Sequence, residues 1–304
     1  MSERASRPAA DRALVLPGLV PLTASNVAAV LAVHDRHLEL AARICEFDPR
    51  RLDGTAGSGA LPTVVHEALL AVAVLRRLEQ APRYRAYGGM SAGCVTALLA
   101  AGVLTEEDCL RIVREVNSRQ SEAHRIRPSG RTLAVLAPSE DGARRLPEEL
   151  RPVADQPRLS VDLGAGLVAV GVRAGAPDAV RARLSRLGVV LLDQAERAEH
   201  TPYTVPGPEE LTAVLADIEF RTAAAVVVSP LTGHPVDNTA EAYRQLLVDQ
   251  SYDTVSLPRL VGGLCGVEGI TAVDLTAPAK SVYVSRTRGL LRGRAEHRLL
   301  ALAG

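Results

Sequence analysis

The stretch Gly88-Gly89-Met90-Ser91-Ala92-Gly93-Cys94 contains the spacing G-x-S-x-G, which sets a serine on a tight turn between a strand and a helix. Small residues two before and two after Ser91 let the chain turn sharply without Cβ clashes. The hydroxyl then stands at the start of a helix, and the next backbone N–H can face a developing oxyanion. In a chain with 24 glycines the pentapeptide alone specifies little. Its meaning depends on its flanks and on a base supplied from elsewhere.

Seven histidines compete for that role. His34, His37, His66 and His297 fall within helical patterns, and His124 lies in a charged stretch. His234 sits in the turn Thr232-Gly233-His234-Pro235, where exposure is expected. His34 and His37 lie beside charged residues without a third ligand, so a solvated helix face is expected there rather than a metal site; His66 reads as packing. His200 differs. It precedes Thr201-Pro202-Tyr203 where the chain leaves an inserted unit, and clefts form at such junctions. From the residues alone a catalytic and a structural role for it stand level.

The elements that must position these residues come from a chain of 304 residues, 47% hydrophobic but only 3% aromatic, with no Trp. Its core must therefore be built from Ala, Val and Leu. Basic and acidic residues balance at 35 each, which gives no reason to expect nucleic acid or an anionic membrane as partner. Cys45, Cys94, Cys109 and Cys265 form no C-x-x-C pair, which argues against zinc or a disulfide framework and fits a reducing cytoplasm. No apolar run approaches the roughly 20 residues that span a bilayer.

Residues 1–12 are polar and expected to fray. Residues 13–16 are wholly apolar and halted by Pro17-Gly18, as a buried parallel strand would be. Thr23 or Ser25 caps a helix expected to run through Val27, Val30, Leu31 and Leu38. An amphipathic helix follows over 64–79, then a weak strand over 84–87 before the Ser91 turn. Val95, Leu98 and Leu99 stripe the next helix, Gly102 stops it, and Thr105-Glu106-Glu107-Asp108 caps another over 109–119. Between 131 and 196 the order is β-α-β-β-α-β: 132–136, 143–150, 159–163, 167–172, 178–187 and 189–192. That is a ferredoxin-like pattern. Beyond His200 come helices over 208–218, 239–249 and 257–265, strands over 224–228 and 270–275, and a basic, leucine-rich helix over 290–302. Alternating strands and helices on both sides of the insert imply an α/β fold with a mostly parallel sheet.

Residues 89–105, Gly89-Met90-Ser91-Ala92-Gly93-Cys94 followed by an Ala/Leu-rich helix and Ala100-Ala101-Gly102, resemble a known nucleophile segment. It is that of the malonyl-CoA:acyl-carrier-protein transacylases and of the related acyltransferase domains of polyketide synthases, usually GHSxGE and an AAG. Glu199-His200-Thr201-Pro202-Tyr203 resembles the FHSP element that carries that family's catalytic histidine. Ile218-Glu219-Phe220 and the segment from Val228-Ser229-Pro230 to Val236 resemble those that follow it. The agreement runs from about residue 13 to 285. It implies an α/β-hydrolase-like large subdomain (1–130 and 197–304) with an inserted ferredoxin-like small subdomain (131–196). It also implies ping-pong acyl transfer through an acyl-serine on Ser91, with His200 as base. Ala92 and Leu19 would give the two oxyanion N–H groups, and Pro230, in the Ser229-Pro230 region, the carbonyl that orients the histidine. No cofactor is implied, because acyl-CoA or a phosphopantetheinyl carrier-protein thioester is the substrate. The implied partner is acyl carrier protein and the implied setting is polyketide or related secondary-metabolite biosynthesis.

The departures from the family pattern carry their own information. The FPGQGSQ loop reads Leu16-Pro17-Gly18-Leu19-Val20-Pro21-Leu22, the histidine of GHS is Met90, and the glutamate after it is Cys94. The arginine that pairs with malonyl's carboxylate aligns with Val116, which cannot make that bidentate pair. Arg114 or Arg119 could enter only by a shift that turns the side chain to another part of the helix. Ala277-Pro278-Ala279 replaces a Gly-Pro-Gly. An acyl group without a free carboxylate is therefore expected, whether fatty, aminoacyl, peptidyl or another biosynthetic intermediate. Leu19, Leu22, Met90 and Val116 would make its pocket apolar. Two other readings remain: a thioester hydrolase using the same dyad, and a non-catalytic interaction protein. For a carrier protein, Arg125 and Arg127 or Arg286, Arg288, Arg292 and Arg294 would be the docking face, against the plain alternative of a solvated surface.

Overall fold

The computed structural model describes residues 9–52, 54–55, 57–127 and 129–302. The first half runs β1 (Ala9–Leu16), α1 (Ala24–Ala32), α2 (Arg36–Ile44), α3 (Thr63–Gln80), β2 (Tyr84–Gly89), α4 (Ala92–Ala100) and α5 (Glu106–Ile126). A middle stretch follows: β3 (Arg131–Leu136), α6 (Glu140–Leu150), β4 (Ala154–Asp155), β5 (Arg158–Asp162), β6 (Leu167–Val172), β7 (Ala174–Gly175), α7 (Pro177–Arg186) and β8 (Val190–Ala195). The chain ends with α8 (Pro208–Ala216), β9 (Val226–Val228), α9 (Ala240–Tyr252), β10 (Val255–Ser256), α10 (Leu257–Gly266), β11 (Ala272–Ala277), α11 (Val282–Leu291) and β12 (Glu296–Ala301).

The main sheet has the order β12-β11-β1-β2-β9 and is parallel throughout. Ala13, Leu14, Val15 and Leu16 are fully buried, as a strand covered on both faces requires. Helices α4, α10 and α11 pack on this sheet, and α3 and α5 pack on α4. The second sheet has the order β10-β5-β6-β3-β8, with a separate hydrophobic cluster of its own. Four of its strands, with α6 and α7, make the ferredoxin-like β-α-β-β-α-β arrangement. The fifth, β10, comes from the returning chain and pairs parallel to β5, tying the two sheets' segments together. The fold class is thus α/β with a parallel main sheet and a small ferredoxin-like unit.

Three expectations are corrected. The helix expected to run from Thr23 through Leu38 is two helices. Asp35 accepts the Leu38 N–H at 3.0 Å and pairs with Arg76, so a new N-terminus is capped there. The basic helix expected over 290–302 is instead the end of α11, a turn at Gly293 (φ +75°) and strand β12. There, pairing with the open edge of β11 outweighs a helical hydrophobic period. Of the expected frayed N-terminus, Ala9–Arg12 belong to β1, and residues 1–8 lie outside the described residues. Among the described residues no helix is long and apolar enough to cross a membrane.

Candidate active site

The turn that carries Ser91 is enforced by its glycines. A Cβ on Gly89 would lie 1.9 Å from the Gly93 carbonyl oxygen, and one on Gly93 would lie 2.3 Å from that of Pro17. With that clearance Ser91 adopts φ +53° and ψ −124°, a conformation that costs a non-glycine residue about 1–3 kcal/mol. Ala92 is the first residue of α4, so its N–H has no acceptor within the helix. The loop after β1 lies against this turn: a Cβ on Gly18 would be 2.9 Å from the Met90 carbonyl oxygen and 3.4 Å from Ser91 Cβ. That closeness puts Leu19 beside Ser91 and Ala92 in the wall of one cavity. His66, read as packing, does more. Its Nε2 donates to the Val20 carbonyl at 2.9 Å and so ties α3 to the loop that carries Leu19. Burial pushes its pKa down, which favours the neutral ring.

His200 is buried, has φ +54°, and brings Nε2 to 2.9 Å from Ser91 Oγ. Its Nδ1 hydrogen-bonds the main-chain carbonyl of Gln250. A carbonyl only accepts, so Nδ1 carries the proton and Nε2 offers a lone pair to the serine hydroxyl. This corrects the assignment to Pro230, whose carbonyl accepts from the Ser256 N–H at 3.0 Å. The physical reason is helix termination. Gln250 lies in the last turn of α9, where carbonyls have no intrahelical partner and carry the negative end of the helix dipole. Burial holds the His200 pKa below the ordinary imidazole range; the Glu199 charge and the Gln250 carbonyl oppose that shift. The Ser91–His200–Gln250 hydrogen bonds thus run from the N-terminus of α4, the positive end of its dipole, to the C-terminus of α9, the negative end of its own.

The cavity around the dyad encloses about 720 Å³ of atom-free space, its mouth included. Val95, Ile112, Val113, Val116, Leu211, Leu215 and Leu247 form its apolar walls. Val116 and Leu19 line this cavity. Met90 and Leu22 do not: both are buried in the main hydrophobic cluster and neither lines the cavity. Cys94 is buried too, donates to the Gly89 carbonyl, and has its thiol pushed up to about 12 by desolvation, so it packs the turn. Arg114 pairs with Glu46, and Arg119 lines a different groove, so neither replaces the missing arginine.

Three charged residues in the cavity were not foreseen. Arg197 and Glu199 form an ion pair, and Glu67 of α3 accepts from Asn117 Nδ2 at 2.8 Å. A signal for Glu67 existed, since it is the one acidic residue in the run 64–75, which is apolar but for it and His66. The remaining histidines stay outside. His34, His234 and His297 are exposed. His37 is not on a solvated face; it is buried with Nδ1 3.0 Å from Glu106 and joins α2 to α5. Among the supposed docking arginines, Arg125, Arg127, Arg288, Arg292 and Arg294 are exposed and Arg286 is half-buried.

No protein-family model matches this chain, and no curated protein does. Solved structures do. The malonyl-CoA:acyl carrier protein transacylase of Xanthomonas oryzae superposes with a TM-score of 0.81 at 23% identity, covering 97% of this chain and 95% of that one. The acyl-carrier-protein S-malonyltransferase of Burkholderia pseudomallei gives 0.78 at 20%, covering 96% of each chain. A malonyl-transacylase solved with its type II polyketide synthase acyl-carrier protein gives 0.74 at 20%, again covering 96% of each. At such identities the likeness establishes a common fold along nearly the whole chain.

Proposed function

We propose that this protein is a cytoplasmic acyltransferase that carries an acyl group on Ser91 between thioesters of coenzyme A or acyl carrier protein, in polyketide or related biosynthesis. One observation carries the reading. Ser91 Oγ lies 2.9 Å from the unprotonated nitrogen of a histidine whose other nitrogen is committed to a carbonyl. His200 Nε2 takes the hydroxyl proton as Oγ attacks the thioester carbonyl carbon. The negative charge develops on the carbonyl oxygen toward the N–H groups of Ala92 and Leu19. When the C–S bond breaks, His200 returns the proton to the leaving sulfur, which departs as a thiol, and an ester on Ser91 remains. An acceptor thiol, deprotonated by His200, then attacks that ester and restores Ser91. The likeness to transacylases, one of them solved with an acyl-carrier protein, supports a carrier protein as partner.

Val116 at the cavity wall supports an acyl group without a free carboxylate. Removing malonate's charge from water against that wall would cost several kcal/mol. The test is intact-mass analysis after incubation with a panel of acyl thioesters, with and without carrier protein. An adduct absent in Ser91→Ala and passed on to carrier protein is expected. Release as free acid would make the protein a hydrolase, loading by malonyl-CoA at least as fast as by neutral thioesters would reject the selectivity, and no adduct from any donor would reject catalysis.

A further inference from the structure

The walls of the acyl cavity are not wholly apolar. Its ionisable groups are the carboxyls of Glu67 and Glu199 and the guanidinium of Arg197, beside His200, whose pKa burial lowers. Arg197 and Glu199 pair with each other, which leaves one carboxylate over. Among the described residues Glu67 makes no ion pair, and its hydrogen-bond donor is the neutral amide of Asn117, itself buried and also bonded to the Val113 carbonyl. Its helix neighbours Val65, His66, Ala68 and Leu69 are buried. A carboxylate in such a place, where the one nearby cation, Arg197, is already paired with Glu199, is a liability to folding that glutamine or leucine would avoid. Gln250 adds a second acceptor. It lines the same cavity and its side-chain oxygen is buried without a partner. Unused acceptors on apolar walls beside a nucleophile call for a ligand rich in donors.

We propose that the acyl group loaded on Ser91 carries a protonated amine, which Glu67 binds as its counter-ion. The inference rests on the acyl-transfer reading and narrows it to aminoacyl thioesters. A malonyl carboxylate would meet Glu67 as a like charge, and a plain alkyl chain would strip water from it and return nothing. Burial lifts the Glu67 carboxyl to about 7, close to the point where an approaching ammonium settles it in the ionised form.

Pantetheine thioesters of butanoyl, β-hydroxybutanoyl, β-aminobutanoyl and malonyl groups separate the possibilities at nearly constant size. The readout is the rate of adduct formation on Ser91, with Ser91→Ala as blank. The amine should load faster than butanoyl by about tenfold or more, the contribution of one charge-assisted hydrogen bond. In Glu67→Gln, which retains an oxygen for Asn117, the ratio should fall toward one. The wild-type ratio decides the matter even if that variant folds poorly. Equal loading of butanoyl and the amine, or preference for the hydroxyl compound through a protonated Glu67, overturns the inference and leaves acyl transfer standing. Failure of every thioester to load Ser91 overturns both.

Discussion

Gly93→Ala tests whether the oxyanion site depends on the contact between the nucleophile turn and the loop after β1. Its new Cβ would meet Pro17 O at 2.3 Å, Leu16 O at 2.7 Å and Pro17 C at 2.8 Å, all of them backbone atoms. To reach even a tight 3.0 Å contact the Pro17 carbonyl must withdraw by roughly 0.7 Å, an overpacking strain of about 1–3 kcal/mol. Leu19 is two residues from that carbonyl, so its N–H moves with it. Loss of one oxyanion donor costs about a hundredfold to a thousandfold in rate. The assay is single-turnover loading of Ser91 from a neutral acyl thioester, followed by intact mass, beside thermal unfolding. Gly289→Ala is the control: that position lies on α11 with nothing within 4 Å of the added Cβ, so it should be neutral or slightly stabilising. If Gly93→Ala unfolds several degrees lower yet loads at nearly the wild-type rate, the Leu19 amide plays no part in stabilising the oxyanion.

Further outcomes follow from the same geometry. His66→Ala should slow loading at least about tenfold by freeing the Val20 carbonyl and loosening the loop of Leu19; His66→Gln, whose amide can donate to that carbonyl, should recover part of the rate. Because burial lowers the His200 pKa, Nε2 is free above that value and protonated below it. The loading rate should therefore be flat through neutral pH and fall only below the ordinary imidazole value of 6.5. Measuring the profile in Glu67→Gln removes the titration of Glu67 near 7, and an acid limb centred at or above 6.5 would contradict the assignment. Val116→Arg places a cation in the cavity wall and should raise the malonyl-to-butanoyl loading ratio by at least about tenfold, and by more when combined with Glu67→Gln. Competition between the two thioesters in one mass spectrum reads that ratio directly.

Much of this protein is legible in its sequence because the deciding forces are local. The Ser91 turn follows from Gly89 and Gly93, which permit a backbone path that any Cβ would block. The apolar run 13–16, the Thr105 cap and the β-α-β-β-α-β order mark their elements through side-chain period and capping chemistry. Val116 is expected at the cavity only through the resemblance, in which it aligns with the arginine that pairs with malonyl's carboxylate. What tertiary structure decided has a different physical character. The Gln250 carbonyl that fixes the His200 tautomer is a backbone group, the same in every residue, and only the meeting of the α9 terminus with His200 selects it. Residues 290–302 have a helical period, yet the open edge of β11 makes part of them a strand. Met90 adjoins the nucleophile in sequence but belongs to the core, whereas Glu67, distant in sequence, reaches the cavity. The chain alone thus marked the hydroxyl, and its likeness to the FHSP element, rather than any local force, singled out His200 among seven histidines. Packing decided which backbone carbonyl orients them and which charge faces the acyl group, because both depend on contacts between segments far apart in the chain.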